Sequence, residues 1–362
     1  MVGTDGALPL PWLERPLQQA LTAPGHALLL HGAPGVGQFE LAVTLAQSAL
    51  CEAGDGASPS RSAAAHAACG SCPACRLVQA RSHPDLLVLV PEALRETLGW
   101  NAGGESEEGK PDKDKASKAK PSREIKVDAV RAAVAFAQTT SSRGKGKVVV
   151  LHPAERINPI ASNTLLKTLE EPPGHARFVL SCARPESLLA TIRSRCQALR
   201  LEAPPTAAAL AWLAARGVAQ PEVLLRACGG QPLQVLQWAA EGVEAAHWTR
   251  LPESIARGEA GALQGWPLPR IVEALQKLCH DAICDVAGAP PRFFPTGAVR
   301  STATVGALTA WARRLGPIAA RAEHPWSAGL AVEALVDDAR RTLVSAPSKP
   351  ARAAPASLHS RP

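Results

Sequence analysis

A glycine-rich turn between an apolar strand and a helix restricts this fold more than any other feature of the sequence. Residues 27–31 predict a short buried strand, and residues 38–50 predict a helix with Leu41, Leu45 and Ala49 on one face. Between them lies the segment Gly32-Ala-Pro-Gly-Val-Gly37. A strand, a turn with this glycine spacing and a helix, in that order, form the framework of a phosphate-binding loop. We therefore expect an α/β domain built around such a turn.

The turn lacks the two residues that make a phosphate-binding loop an ATPase. In an active loop a lysine binds the β- and γ-phosphates, and the next residue, Ser or Thr, binds Mg²⁺. Here the glycines Gly32, Gly35 and Gly37 are followed by Gln38 and Phe39. The preferred interpretation is that the glycines shape the turn from strand to helix. Nucleotide binding by the loop is the alternative.

The acids that an ATPase needs are also missing after the apolar segment 147–151. An active site places one acid there to hold Mg²⁺ and another to polarise water. The chain has His152-Pro153-Ala154-Glu155 instead. Pro153 takes the place of the water-activating acid, and Glu155 lies too far along to replace it. These losses predict a degenerate ATPase site and no ATP on this chain.

The first two hundred residues alternate strand-like and helix-like segments. Residues 86–90 form an uninterrupted apolar run, which is typical of a strand buried on both faces. Further strands are predicted at 147–151, 177–181 and 197–201. Helices are predicted around Val127, Val130 and Val134, and over residues 163–171, which end before two prolines. This alternation predicts a parallel sheet covered by helices on both faces.

Beyond Pro204-Pro205 the pattern is helical throughout. Short helices after Thr206 and Pro221 and through Val235 predict a small lid, and longer amphipathic helices predict a bundle. Residues 101–122 hold no aliphatic side chain larger than Ala and predict a disordered insertion. The predicted domains are an α/β domain (1–203) with a cysteine module (51–75) and the insertion, a helical lid (204–245), a helical bundle (246–345) and a disordered tail (346–362).

The net charge gives little support for a dedicated DNA-binding surface. The chain carries +7, but acids and bases cancel over residues 91–126, and residues 346–362 contribute +3, which leaves +4 for the folded remainder. That value is typical of a solvated surface. The absence of Tyr also disfavours a stacking platform for single strands. Because the chain has neither an export signal nor a membrane-length apolar run, it is predicted to be cytoplasmic.

Four of the nine cysteines are spaced to bind one metal ion: Cys51, Cys69, Cys72 and Cys75. Four thiolates with no open position are the ligands of structural Zn²⁺. A redox dithiol is the alternative, although a third and fourth thiol would be superfluous for it. His66 or His83 could also replace Cys51. The other cysteines occupy apolar positions and predict core packing: Cys182, Cys196, Cys228, Cys279 and Cys284.

Two arginines lie between a helix and the last predicted strand, in Leu189-Ala-Thr-Ile-Arg193-Ser194-Arg195-Cys196. From spacing alone, Arg195 is explained equally well by a functional guanidinium and by a surface arginine bonded to strand-end carbonyls. Both interpretations stay open at this point.

Three segments resemble the clamp-loader branch of AAA+ proteins: NTLLKTLEEPP at 163–173, FVLS at 178–181 and Ser-Arg-Cys at 194–196. With the cysteine module and the altered loop, the chain is similar to the delta-prime subunits of bacterial DNA polymerase III. The resemblance is close from about residue 28 to 201, apart from the insertion, and weaker beyond. It implies an α/β P-loop NTPase-like (AAA+) domain with a parallel sheet, then a helical lid and a helical collar that oligomerises.

The resemblance also implies site residues. Ser-Arg-Cys is the arginine-finger motif of that family, so Arg195 would reach the ATP of an adjacent subunit, and Arg193 would be structural. A guanidinium supplied in trans stabilises the charge that develops during phosphoryl transfer. Pro232 and Cys182-Ala183 stand where active relatives carry a phosphate-sensing arginine and a polar sensor. These departures agree with a chain that does not use nucleotide itself.

The function that the resemblance implies is that of a non-hydrolysing clamp-loader subunit, which is not an enzyme by itself. Its partners would be gamma/tau ATPase subunits, the delta subunit and a sliding clamp, with primed DNA reached through the complex and no membrane. Three alternatives remain: an active gamma/tau-type ATPase, a zinc-containing DNA-binding protein, and a scaffold without a role in trans.

Overall fold

The computed structural model describes residues 1–53, 67–100, 121–322 and 328–344. The predicted insertion lies outside these ranges except for its last two residues, and His66 and the predicted tail lie wholly outside them. The chain divides into two compact units, Met1–Ala209 with Gln231–Gln234, and Leu210–Gly230 with Val235–Pro362. Among the described residues, no helix is long and apolar enough to cross a membrane.

In the first unit, strands and helices alternate as predicted. In chain order the elements are α1 (Glu14–Thr22), β1 (Ala27–Gly32), α2 (Gln38–Leu50), α3 (Pro73–Gln79), β2 (Leu86–Leu89), α4 (Glu92–Leu98), α5 (Val127–Gln138), β3 (Val148–Leu151), α6 (Pro159–Glu170), β4 (Arg177–Cys182), α7 (Ala190–Arg193) and β5 (Gln197–Leu201). Helix α6 begins four residues before the predicted start, because Asn158 caps it by accepting a hydrogen bond from the backbone N–H of Ala161.

The five strands form one sheet in the order β2-β3-β4-β1-β5. Every pairing in it is parallel, as the sequence predicts. Strand β1 lies between β4 and β5, with Leu28 beside both Val179 and Gln197. The glycine turn that follows Gly32 therefore leaves the carboxyl edge of the sheet from an inner strand.

Strand β2 corrects one prediction. Its apolar run indicates a strand buried on both faces, but Leu86, Leu87 and Val88 are only half-buried and β2 lies at the edge of the sheet. An edge strand has one neighbour, so its side chains receive less cover than those of an inner strand. The fully buried strand of this pattern is β3, in which all four residues are buried.

Helices α2 and α5 contact the strands of the sheet. Helices α5 and α6 bury Val130 and Leu165 in one cluster with alternate strand residues such as Leu29, Val149 and Phe178. Helix α2 is buried over nearly its whole circumference, not on the single face predicted from its leucines. A helix enclosed in this way is held by packing rather than by an amphipathic stripe.

The remaining chain is helical, as predicted: α8 (Thr206–Ala214), α9 (Pro221–Ala227), α10 (Pro232–Ala240), α11 (Ala245–Arg257), α12 (Leu268–Val286), α13 (Val305–Arg321) and α14 (Ala328–Leu343). Helix α11, which continues through Pro252, was not predicted from the sequence. Its Trp248 is fully buried and stacks on Phe294 at 4.6 Å between ring centroids. The amine of Lys277 lies 4.7 Å from the Trp238 ring, so this core includes a cation–π contact.

Candidate functional site

The glycine turn between β1 and α2 adopts a conformation that requires glycine. Gly35 and Gly37 have φ angles of 75° and 108°, in the left-handed region that favours residues without a Cβ. A Cβ on Gly37 would also lie 2.6 Å from the Cδ1 of Leu10. The backbone framework of a phosphate-binding loop is therefore present, with each of these glycines needed for its shape.

Gln38 turns its side chain back into this loop. Its amide Nε2 donates hydrogen bonds to the carbonyl oxygens of Gly32 and Ala33, both at 2.7 Å. The residue is 5% exposed. Because an amide nitrogen has two N–H groups, both donors of Gln38 are used within the loop. At the position where an active loop has its lysine, this chain thus has an uncharged group satisfied by its own backbone.

A second segment of the same unit packs on the turn. Gln231–Gln234 belongs to the first unit, and the backbone N–H of Leu233 donates to the carbonyl of Gly35 at 3.2 Å. A Cβ on Gly35 would lie 3.1 Å from the backbone nitrogen of Gln234. The turn is therefore in contact, at Gly35, with the segment Gln231–Gln234.

The residue directly after β3 is His152, and the first carboxylate after the strand is that of Glu155. The Nδ1 of His152 lies 2.9 Å from the Oγ of Ser181. Burial lowers the pKa of His152 to about 4, so its imidazole is neutral at neutral pH. The carboxylate of Glu155 accepts a hydrogen bond from the backbone N–H of Ala183 at 2.9 Å. Glu155 therefore binds the chain segment after β4.

The four predicted metal ligands come together: Cys51, Cys69, Cys72 and Cys75. Their sulfurs all lie within 4.8 Å of one another, with Cys51 and Cys72 at 3.9 Å and Cys69 and Cys75 at 4.0 Å. Two sulfurs bound at about 2.3 Å to one tetrahedral centre lie about 3.8 Å apart. The spacing of the thiols thus fits a single four-coordinate metal ion.

Hydrogen bonds around the cluster favour thiolates. The backbone N–H groups of Cys72 and Cys75 donate to the sulfurs of Cys69 and Cys72 at 3.3 and 3.4 Å. Burial opposes ionisation of Cys69, but hydrogen bonds from the backbone N–H groups of Cys72 and Ser71 and from the side chains of Ser71 and Cys51 together outweigh it and lower its pKa to about 6. Burial raises the pKa of Cys51 and Cys75, so a cation at the centre would favour loss of the protons from these two thiols.

His83 is not part of this group of four ligands. It is 5% exposed, and its Nδ1 accepts a hydrogen bond from the backbone N–H of Asp85 at 3.0 Å. The alternative in which His83 replaces Cys51 gains no support from this geometry. The alternative with His66 falls outside the described residues.

Arg195 lies on the surface of the first unit, just after α7. Its Nε and Nη2 donate to one carboxylate oxygen of Glu170, the Nε at 2.6 Å, and its Nη1 donates to the carbonyl oxygen of Thr191 at 2.8 Å. The side chain is 31% exposed. It borders an open groove of about 510 Å³ that is lined by His26, Leu169, Glu170, Ser194 and Arg195.

Comparison with known proteins decides the family. A family model described as DNA polymerase III, delta subunit, matches residues 13–205. The DNA polymerase III subunit delta' of Escherichia coli is 31% identical over 291 residues, which cover 74% of this chain and 76% of that protein. The chain belongs to this delta-prime family. The delta-prime subunit of Pseudomonas aeruginosa is 38% identical over 239 residues, covering 63% of this chain and 62% of that protein. The chain thus spans less than two thirds of this second relative.

More distant relatives include other DNA polymerase III subunits. The subunit tau of Escherichia coli is 31% identical over 178 residues, which are 49% of this chain and 22% of tau. Among solved structures, a DNA polymerase III gamma subunit-related protein of Thermotoga maritima overlaps 91% of this chain and 99% of its own, with 15% identity and a TM-score of 0.44.

Two features of this delta-prime family member were not predicted from its sequence. One is Glu170 as the partner of Arg195, which lies 25 positions later. Glu170 and Glu171 stand at the C-terminal end of helix α6, where the helix dipole disfavours negative charge. Two acids at such a position are the sequence feature that could have suggested a cationic neighbour. The other is Val2, which packs on the cysteine cluster with 1% exposure. Nothing in the local sequence pattern indicates that contact.

A second group of potential ligands occurs in the helical part of this delta-prime chain, at His280, Asp281 and Cys284. The Asp281 carboxylate is buried and accepts hydrogen bonds from three successive backbone N–H groups, those of residues 292–294. With its oxygens occupied in this way, Asp281 anchors a loop rather than a metal ion. Cys284, which the sequence predicts as a core residue, is only half-buried.

Proposed function

We propose that this chain is the non-hydrolysing subunit of a DNA polymerase III clamp loader, and that it supplies Arg195 in trans to ATP held by a neighbouring gamma/tau-type subunit. The observation that carries the proposal is the position of Gln38. Its amide donates both of its N–H groups to the carbonyl oxygens of Gly32 and Ala33 inside the loop. An uncharged group that faces the loop backbone does not offset the charge of nucleotide phosphates.

The end of β3 supports the same conclusion. Catalysis of ATP hydrolysis needs an acid that holds Mg²⁺ and a group that positions water. His152 is neutral and paired with Ser181, and Glu155 is engaged by the backbone of Ala183. On this proposal the cation site and the water-positioning group are lost separately, so no single substitution would restore both. An active gamma/tau-type ATPase is disfavoured for that reason.

Arg195 suits action across a subunit boundary. Its guanidinium is partly exposed beside an open groove. A planar guanidinium offers fixed donors for the oxygens of a transferring phosphoryl group. The alternative is a surface arginine bonded to strand-end carbonyls, whereas the carbonyl that Arg195 contacts, that of Thr191, lies in helix α7. A test in the assembled complex distinguishes the two roles.

The cysteine cluster is proposed to bind structural Zn²⁺. The spacing of its sulfurs and the thiolate character of Cys69 fit that ion. Bound there, Zn²⁺ would join the end of α2, at Cys51, to the segment that holds the other three cysteines. Because all four positions of a tetrahedral ion would be filled by protein, none is left for a catalytic water.

The remaining parts of the proposal concern assembly. We assign residues 1–203 to an AAA+-like domain, 204–245 to a lid and 246–345 to a collar that joins the subunits of the loader. The partners proposed are gamma/tau subunits, a delta subunit and a sliding clamp, with primed DNA reached through the complex. The family membership of the chain and the relatives named as tau support these partners.

The test replaces Arg195 by Ala in a loader reconstituted with gamma/tau-type ATPase subunits. An arginine finger contributes roughly 10³-fold or more to hydrolysis at the site that it serves. We expect R195A to assemble normally by size-exclusion chromatography and to lose the ATP turnover of one site. The matched control is Arg193→Ala, since Arg193 is exposed and lies two positions earlier. Unchanged turnover in R195A would leave the chain as a scaffold.

A further inference from the structure

Every nitrogen of the Arg195 guanidinium has an acceptor within its own chain. Nε and Nη2 donate to Glu170, and Nη1 donates to the Thr191 carbonyl at 2.8 Å and to the Ser194 Oγ at 3.3 Å. These contacts use four of the five N–H groups of an arginine. Among the described residues, one N–H of Nη2 is left for another acceptor.

The acceptors come from two separate elements. Thr191 and Ser194 belong to the turn of helix that carries Arg195, whereas Glu170 is the last residue of α6. A carboxylate at a helix C-terminus meets the negative end of the helix dipole. The cation of Arg195 offsets that cost.

We infer that Glu170 is a positioning residue for Arg195: it holds the guanidinium at the rim of the groove before a neighbour's phosphate arrives. The inference rests on the proposed function of Arg195. A free arginine side chain samples many rotamers, and ordering it on binding lowers the rate that it can support. Contacts to α6 and α7 remove most of that freedom in advance.

The strength of the contact sets the expected effect. Arg195 and Glu170 are 31% and 47% exposed, so solvent screens the pair and its contribution is small. Loss of an exposed ion pair of this kind changes a rate by about 5-fold at most. Removal of Glu170 is therefore expected to lower the rate of ATP hydrolysis less than removal of Arg195 itself.

The activity experiment compares Glu170→Ala and Glu170→Gln in the reconstituted loader, with Glu171→Ala as the control that removes an equal charge one residue later. We expect E170A to lower kcat at the ATP site that Arg195 serves by up to about 5-fold with KM unchanged, because the neighbour binds the nucleotide. E170Q keeps an acceptor oxygen and should retain more turnover than E170A. In the R195A background, E170A should have no further effect.

A second readout uses the isolated chain. The Nε–H of Arg195, followed by ¹⁵N NMR and assigned with Arg195→Lys, should exchange with water faster in E170A and at the wild-type rate in E171A. Unaltered exchange in E170A would overturn the inference, as would independent losses in the double variant. If R195A lowers turnover but E170A does not, the inference fails while the proposed function stands. If R195A leaves turnover unchanged, both fail.

Discussion

The ring of Phe39 lies 4.9 Å from the imidazole of His152. Phe39 occupies the position of the Mg²⁺-binding hydroxyl in an active loop, and His152 follows the strand that would carry the Mg²⁺-binding acid. Phe39 is 8% exposed, and the imidazole beside it is neutral because burial lowers its pKa to about 4. An ATPase needs oxygen ligands for Mg²⁺ at these two positions. In this chain they hold Phe39 and His152, whose rings contact each other.

This contact predicts that the loop is not repaired by restoring its consensus residues. The double variant Gln38→Lys with Phe39→Thr regains a cation and a hydroxyl, but no acid appears after β3. We expect no ATP turnover from the purified double variant in a phosphate-release assay. Removing the buried Phe39 ring should also lower the free energy of unfolding by about 3 kcal/mol.

The single variant Phe39→Thr is the control for that loss of stability. Denaturant unfolding should show a similar loss in the single and double variants, which would assign the cost to the ring. Magnesium-dependent turnover by the double variant above the wild-type level would contradict this account of the site.

The sequence predicts those elements that depend on residues close together in the chain. Strand β3 and helix α6 follow from apolar runs and prolines, and the gathering of the cysteines follows from three thiols spaced three apart. The exposure of strand β2 could not be predicted, because an apolar run does not encode how many neighbours a strand has. Its edge position is a property of the topology.

The contacts of the candidate site are harder to predict than its residues. Gln38 is visible in the sequence as a missing lysine, but its hydrogen bonds to Gly32 and Ala33 depend on the loop geometry. The pairing of Arg195 with Glu170 joins two elements that no spacing rule connects. Sequence patterns indicate which chemical groups a site contains, whereas tertiary packing determines which groups they contact.

Asp85 predicts how the first unit responds to acid. Burial alone would raise the pKa of this carboxyl, but hydrogen bonds from the backbone N–H of Ser142, from Lys147 and from the backbone N–H of Arg143 outweigh it and lower the pKa from 3.8 to about 2. A depressed carboxyl pKa contributes stability above pH 4 and loses it as the pH falls towards 2. The contribution at neutral pH is about 2 kcal/mol.

Replacing Asp85 by Asn should reduce the free energy of unfolding at pH 7 by about 3 kcal/mol, because Lys147 is then buried without its counter-charge. The control is Asp128→Asn, whose side chain is 84% exposed and whose pairing with Arg131 has little effect on stability. Urea unfolding between pH 2 and 7 measures both variants. If the free energy of unfolding of D85N falls with decreasing pH as steeply as that of the wild type, Asp85 is not responsible for the acid sensitivity.

The last prediction concerns Val2, which joins the start of the chain to the cysteine cluster. Its backbone N–H donates to the Oε1 of Gln47 at 2.7 Å, and its carbonyl accepts from the Nε2 of Gln79 at 3.0 Å. The same Nε2 donates to the carbonyl of Gly70, between two of the cysteines. The N-terminal segment is therefore bonded to the backbone that would hold the metal.

If the cluster binds Zn²⁺, the metal and this segment should stabilise each other. We expect Val2→Ala to cost about 2 kcal/mol and to speed loss of zinc to a chelator roughly 10-fold, measured with a colorimetric zinc indicator. Val344→Ala is the matched control, since that valine is 58% exposed. In Cys72→Ser, which should lose the ion, amide exchange of residues 2–7 should rise. Equal zinc release from V2A and the control would mean that the segment lies beside the cluster without supporting it.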